Sequence, residues 1–157
     1  MTDPFGRVRR TTHADGALVE ISYEGLRETR RVHCRHMLEG DEVIQGASFD
    51  DRIGLNAWPI ESHVNGAIEW RHFRDSDNAY NQLPLRMLMP VEPAPRNLWV
   101  AGRCAGMTHL GQSAARASGA CFVMGQAAGT AAALSLSGPW EVSDLQDRLI
   151  AQGAVLN

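Results

Sequence analysis

The stretch that decides the fold is residues 97–134, NLWVAGRCAGMTHLGQSAARASGACFVMGQAAGTAAAL. Its first five residues are an apolar run between Pro95 and Gly102, the pattern of a strand buried on both faces. A loop of Gly, Thr, His and Gln follows. A long helix is then predicted from about Ala114 to Leu136, stopped by Gly138 and Pro139. Gly119, Gly125 and Gly129 lie inside it, each costing about 1 kcal/mol relative to alanine. A sequence keeps such residues where a Cβ would collide with something. Gly125, Ala128, Gly129 and Ala132 recur at spacings of three and four, so they share a face. Close packing of that face on a sheet is the plainer expectation, and contact with a ligand the other. At the helix start, unpaired backbone amides and the helix dipole leave partial positive charge. Gln112, Ser113 and Arg116 surround that start, and the set suits an anionic or electron-rich group.

Two nucleotide motifs come close here and fail. Residues 106–113, GMTHLGQS, fall one residue short of GxxxxGK[ST], because Gln112 stands where the phosphate-binding lysine would. GRCAG is not GxGxxG, and no other segment is. A nucleotide site complete within this chain has no support.

Downstream, Ser143 is expected to cap a helix from Asp144 to Gln152, with Leu145, Leu149 and Ile150 on one face. Upstream, Pro84, Pro90, Pro93 and Pro95 cut the chain into extended pieces and turns. Ala17 to Tyr23 reads as a short strand, Thr29 to Gln45 as mainly extended, and Phe49 to Leu55 as a short helix capped by Ser48 with Asp50 and Asp51 in its first turn. Alternating residues around Trp58 to Val64 and from Ala67 to Phe73 read as strands, and Asp75 to Asn78 as a turn. The organisation expected is a flexible start (1–16), a mixed α+β region (17–90) and an α/β unit (91–157).

The whole chain has 157 residues and a net charge of −3, with 44% hydrophobic and 21% charged residues. That is a globular composition with enough length for a real core. All 15 basic residues are Arg, which excludes lysine Schiff-base chemistry, and mild acidity argues against a nucleic-acid partner. Cys34, Cys104 and Cys121 form no CxxC and cannot all pair, so reduced thiols in a reducing, cytoplasmic setting are expected. Cys104 and Cys121 read as small buried apolar residues. His33, Cys34 and His36 crowd their donors on adjacent residues without a clear fourth ligand, and no metal site is assigned. The uncharged run 117–140 is long enough to span a membrane, but its Ala, Gly and Ser gain too little from lipid. A helix buried all round in a protein core is expected instead. Arg27, Arg30 and Arg31 can meet an acidic substrate, but a face paired with Glu24, Glu28 and Glu39 is the simpler reading. Glu61 is expected to pair internally with an Arg.

The segment 97–134 closely resembles the C-terminal segment of the FAD-dependent oxidoreductase family, within the glutathione-reductase-like flavoproteins. LRETRRV (26–32) resembles that family's RE-x-RR element, and FDDRIGLNAWPIESH (49–63) its D-x-I and E-x-H elements. YNQLPLRMLMP (80–90) is similar to its Y-x-I-P-Y-R-x-L-x-P, with Leu85 in place of the usual Tyr. DLQDRLIAQGAVL (144–156) resembles its closing helix. The family's GxGxxG half is absent from these residues. The resemblance implies an α/β fold, a partial FAD/NAD(P)-binding Rossmann-like fold with a mixed α+β substrate-domain portion. It implies FAD as cofactor, with Gly102, Arg103, Gln112, Ser113, Ala114 and Arg116 on its side. His109 and His63 are the candidates for proton transfer during hydride transfer from a small-molecule substrate to flavin N5, or else structural histidines. It implies activity as part of a longer or complemented protein, with the N-terminal FAD-binding half, or a partner chain, supplying the rest. The alternative is a catalytically inactive fragment or partner-binding subunit.

Overall fold

The computed structural model describes residues 32–92, 94 and 97–157, and the backbone of residues 10–12 and 18–20. The chain divides into two compact units, Met1–Arg30 and Arg31–Asn157. In the first, strands β1 (Arg10–Thr12) and β2 (Leu18–Glu20) pair antiparallel. β2 falls within the expected strand, and β1 lies in the stretch 1–16, most of which is outside the described residues. Arg27, Arg30 and Arg31 lie outside the described residues.

In the second unit, residues 32–39 run extended between two later segments. The amides of Val32 and Leu38 donate to the carbonyls of Cys104 and Gly106, and those of Arg35 and His36 to Met89 and Arg86. The expected extended conformation holds here and then stops. Helix α1 (Gly40–Gln45) follows, opened by a reciprocal capping box between Glu39 and Glu42 and closed by Gly46 in the left-handed region. A six-residue helix with a glutamate cap shows too little periodicity to be read from sequence.

Residues 49–55 do not form the expected helix. They lead into β3 (Arg52–Asn56), which pairs antiparallel with β6 (Asn81–Pro84). Asp51, which looks like a first-turn acid, has another task. The Asp51 carboxylate receives Arg86 Nε at 3.0 Å and Nη2 at 3.2 Å, and also the Arg86 backbone amide at 3.0 Å. This two-pronged clamp fastens β3 to the 3-10 turn Leu85–Leu88, whose Leu85, Met87 and Leu88 enter the core. Asn56 and Asn81 join through their side-chain amides across the same pair of strands.

β4 (Ile60–Val64) and β5 (Ala67–Arg71) are the two expected strands, and they pair as a hairpin. Its two-residue turn is Asn65–Gly66, both at positive φ, the backbone that a tight hairpin of this hand needs.

The segment 97–101 is not a strand. Among the described residues no strand lies beside it. Its backbone makes one bond to the core, from the Val100 amide to the Leu88 carbonyl, and Leu98 is exposed. The sheets are three antiparallel pairs, so the described residues form a mixed α/β fold without a parallel sheet.

The predicted long helix is two helices. α2 (His109–Ala115) ends where the Arg116 amide bonds the Gln112 carbonyl. Ala117 is extended, and α3 (Ser118–Ser137) begins after it. Gly111 lies against the backbone of Leu38, whose carbonyl a Cβ would strike. α3 is buried on one stripe, Ala120, Met124, Ala127 and Ala131. It is long and apolar enough to cross a membrane by length and composition, but it is not buried all round. Ser118, Phe122, Gly125, Gly129, Ala132 and Leu136 form an exposed stripe at spacings of four and three, with Phe122 76% and Leu136 92% exposed. A Cβ at Gly119, Gly125 or Gly129 would meet nothing within 4 Å, so the close packing expected of these glycines is not made by the described residues. α4 (Val142–Ala151) packs beside α3, capped by Glu141 with Asp144 rather than by Ser143. Gln146 ties it to the carbonyls of Asp50 and Arg52. Leu145 and Leu149 enter the core, and Ile150 faces out. The core therefore joins residues from both sides of position 90.

The glycines should divide by their surroundings. Gly111→Ala forces a methyl onto the Leu38 carbonyl and is expected to lower stability by about 3 kcal/mol. Gly125→Ala meets open space and is expected to raise it by about 1 kcal/mol. Urea unfolding of the chain by itself measures both; equal effects of the two substitutions would contradict this packing.

Candidate functional site

The residues singled out from sequence lie on the 3-10 turn before α2, on α2 and its end, and on β4, which packs against α2. Gly102 and Arg103 lie in a 3-10 turn, Gly102–Cys104, with Gly102 at φ +64°. Arg103 is exposed. Gln112 lies beneath that turn, 1% exposed, and its Nε2 donates to the Arg103 carbonyl at 2.8 Å. Its Oε1 is buried without a partner among the described residues. Ser113 donates to the His109 carbonyl, and Ala114 is fully buried. Gln112, Ser113 and Ala114 thus face inward, and what they support is the turn and the helix packing. His109 is the exposed first residue of α2, whose cap is Thr108: its hydroxyl oxygen accepts from the Gly111 amide.

The helix start expected near Ala114 lies instead at Ser118. Ala117 offers no side-chain cap, and Ser118 and Gly119 are exposed. The first amides of α3 therefore carry the partial positive charge expected of the site. Arg116 stands two residues before that start, not just inside the helix as expected from sequence. Its Nη2 donates to the Glu61 carbonyl at 3.0 Å and lies 3.8 Å from the Glu61 carboxylate. The expected Glu61–Arg pair is therefore present.

Glu61 gathers more than that. On β4, alternation puts Glu61 and His63 on one face. His63 Nε2 lies 3.1 Å from Glu61 Oε1, and the Trp58 indole N–H donates to Glu61 Oε2 at 3.2 Å. Trp70 faces Glu61 across the hairpin, with its ring 5.9 Å from that of Trp58 and stacked on His72. One carboxylate is thus held by an imidazole, an indole and a guanidinium. The sequence showed an Arg partner for Glu61 but not this convergence; the E-x-H spacing on a strand was the available signal.

The thiols differ from one another. Cys104 is exposed rather than buried, and Cys121 is half-buried with its Sγ toward the Arg116 carbonyl at 3.5 Å. Burial pushes the Cys121 thiol up, and Arg103 partly offsets this. Burial also raises Cys34, against a hydrogen bond with the Gly106 backbone. His36 bonds Glu42 at 3.1 Å. Among the described residues no group of three or more His, Cys, Asp or Glu is placed to hold a metal.

Among the described residues, open clefts lie elsewhere. One of about 390 Å³ between α3 and α4 is lined by Gly129, Thr130, Arg148 and Gln152. An apolar one of about 330 Å³ lies beside Asp51, Arg86 and Trp140.

No curated protein and no solved structure matches the chain. The family model described as FAD dependent oxidoreductase matches residues 17–152. That span takes in β2, the Asp51–Arg86 clamp, the Glu61 cluster, both central helices and α4, and the chain belongs to the FAD-dependent oxidoreductase family.

Proposed function

We propose that this chain supplies the C-terminal part of an FAD-dependent oxidoreductase of the glutathione-reductase-like type, which transfers a hydride from a small-molecule substrate to flavin. The observation that carries this reading is α3. Its start is uncapped, preceded by Arg116 and flanked by Gly119 with open space beside it. Such a terminus fits an electron-rich ring edge, which gains negative charge on reduction. The residues present therefore fit the flavin in part: Gly102, Arg103, Arg116 and the first turn of α3 would hold it. Gln112, Ser113 and Ala114 would act beneath them, through the turn and the helix that they support. When bound, FAD supplies the hydride acceptor at N5. His63 and His109, both exposed, are this chain's candidates for moving the accompanying proton.

The pyrophosphate of FAD needs a glycine-rich turn that residues 1–157 do not contain. Polypeptide carrying GxGxxG, an N-terminal half or a partner chain, completes the site in this reading. The exposed stripe of α3 supports it, since Gly125 and Gly129 allow another backbone to approach closely. The same residues favour protein over lipid as the cover, because Ala and Gly gain little from a bilayer. Three free thiols suit a reducing, cytoplasmic setting. The same bare stripe also suits the second reading, a catalytically inactive fragment or partner-binding subunit.

Co-expression with a flavoprotein N-terminal half that bears GxGxxG separates the two. A co-purifying yellow complex with flavin absorbance is expected. Arg116→Ala in that complex is expected to weaken FAD binding about tenfold or more, the effect of losing one charge-assisted contact. A stable but colourless complex would favour the inactive subunit.

A further inference from the structure

We propose that Glu61 is the positioning residue of His63, holding the imidazole proton on Nε2 and leaving Nδ1 as the base. The assignment rests on the flavin reading for its use, but its geometry belongs to this chain alone. Each partner of the Glu61 carboxylate has a fixed polarity. The Trp58 indole nitrogen can only donate, and it takes Oε2. Arg116 can only donate, and it lies by Oε1 and the backbone carbonyl. His63 is the one partner with a choice, and a carboxylate oxygen 3.1 Å from Nε2 requires the proton there. The Nδ1 lone pair is then directed away from Glu61, on a ring whose side chain is 55% exposed. Trp58 and the cross-strand Trp70 shelter the carboxylate on the same face.

In the oxidation this would serve, FAD, when bound, would supply the acceptor for the C–H hydrogen and bonding pair of a substrate H–C–O–H or H–C–N–H unit. Its O–H or N–H proton passes to His63 Nδ1, and C=O or C=N forms. The substrate loses two electrons and the flavin gains them. Glu61 touches none of the reacting atoms; it keeps the imidazole in the tautomer that can accept the proton and stabilises the cation that results.

Fixed donor polarity makes the test sharp. In Glu61→Gln the side-chain oxygen serves Trp58, which bonds at 3.2 Å, rather than Arg116, which stands 3.8 Å from Oε1 and keeps the Glu61 backbone carbonyl at 3.0 Å, so the amide NH₂ faces His63. Nε2 then has to accept, and the proton moves to Nδ1. Two-bond ¹⁵N–¹H NMR on the full chain with labelled histidine, His63 being identified by its loss in His63→Gln, reads the tautomer directly at a pH where the ring is neutral. Wild type is expected to favour Nε2–H by at least about tenfold, the bias of one charge-assisted bond. Glu61→Gln is expected to reverse the preference. Trp58→Phe combined with Glu61→Gln frees the amide to turn and should restore Nε2–H. An unchanged tautomer in Glu61→Gln, or a wild-type ring protonated on Nδ1, overturns the assignment, whether or not the variants lose stability elsewhere.

In the complemented yellow protein, Glu61→Gln should lower substrate-driven flavin reduction about 100-fold at unchanged flavin content, with recovery on adding Trp58→Phe. A tautomer reversal with no change in reduction rate would overturn the catalytic use of the pair. Failure of any complemented protein to bind flavin would instead overturn the functional reading, and the tautomer measurement would stand apart from it.

Discussion

A helix made largely of alanine and glycine cannot hold itself in place, and α3 is such a helix. Its inner stripe, Ala120, Met124, Ala127 and Ala131, packs onto the core beside β3, α4 and both 3-10 turns. Small side chains gain little per residue from that burial, so the helix depends on being fitted closely on its inner side. The outer stripe from Ser118 to Leu136 has no such cover among the described residues. Phe122 and Leu136 are large apolar groups in water, and three glycines forfeit helix propensity without a neighbour in sight. Both facts are what the proposed second layer of backbone over this face would account for.

The polar chemistry gathers at the near end of the same helix. The break between α2 and α3 places Arg116 against β4, and β4 brings Glu61 and His63 to it on one face. The Asp51–Arg86 clamp acts at a distance from this. By fixing β3 to the turn that follows β6, it sets the platform under α3. A helix start, an arginine and an imidazole–carboxylate pair are thus held by α3, the end of α2 and β4, which share one core. Such an arrangement can orient a cofactor edge and a proton acceptor without a mobile loop.

Legibility from sequence followed the range of the forces involved. The strands β4 and β5, the stop at Gly138–Pro139 and the closing helix are local, set by alternation and turn residues. Except that Glu141 and not Ser143 caps the helix, they read well. β3 did not, because Asp50 and Asp51 mimic first-turn acids. Asp51 instead meets Arg86, a partner 35 residues away. The break at Arg116–Ala117 is invisible in a run of small helix-compatible residues. The segment 97–101 has strand composition, yet a strand needs a neighbour to pair with, and none is found among the described residues. The motif places Arg116 near a helix start, and it stands two residues before α3. The inward set of Gln112, Ser113 and Ala114 was not legible, since burial depends on where the helix begins.

Hydrogen–deuterium exchange of the α3 amides from Phe122 to Leu136, compared between the chain alone and its complex with a flavin-binding half, tests the second-layer account most directly. Covering the outer stripe should slow their exchange at least about tenfold, equivalent to roughly 1.4 kcal/mol of added local stability. Rates that stay the same in a stable, flavin-loaded complex would contradict it.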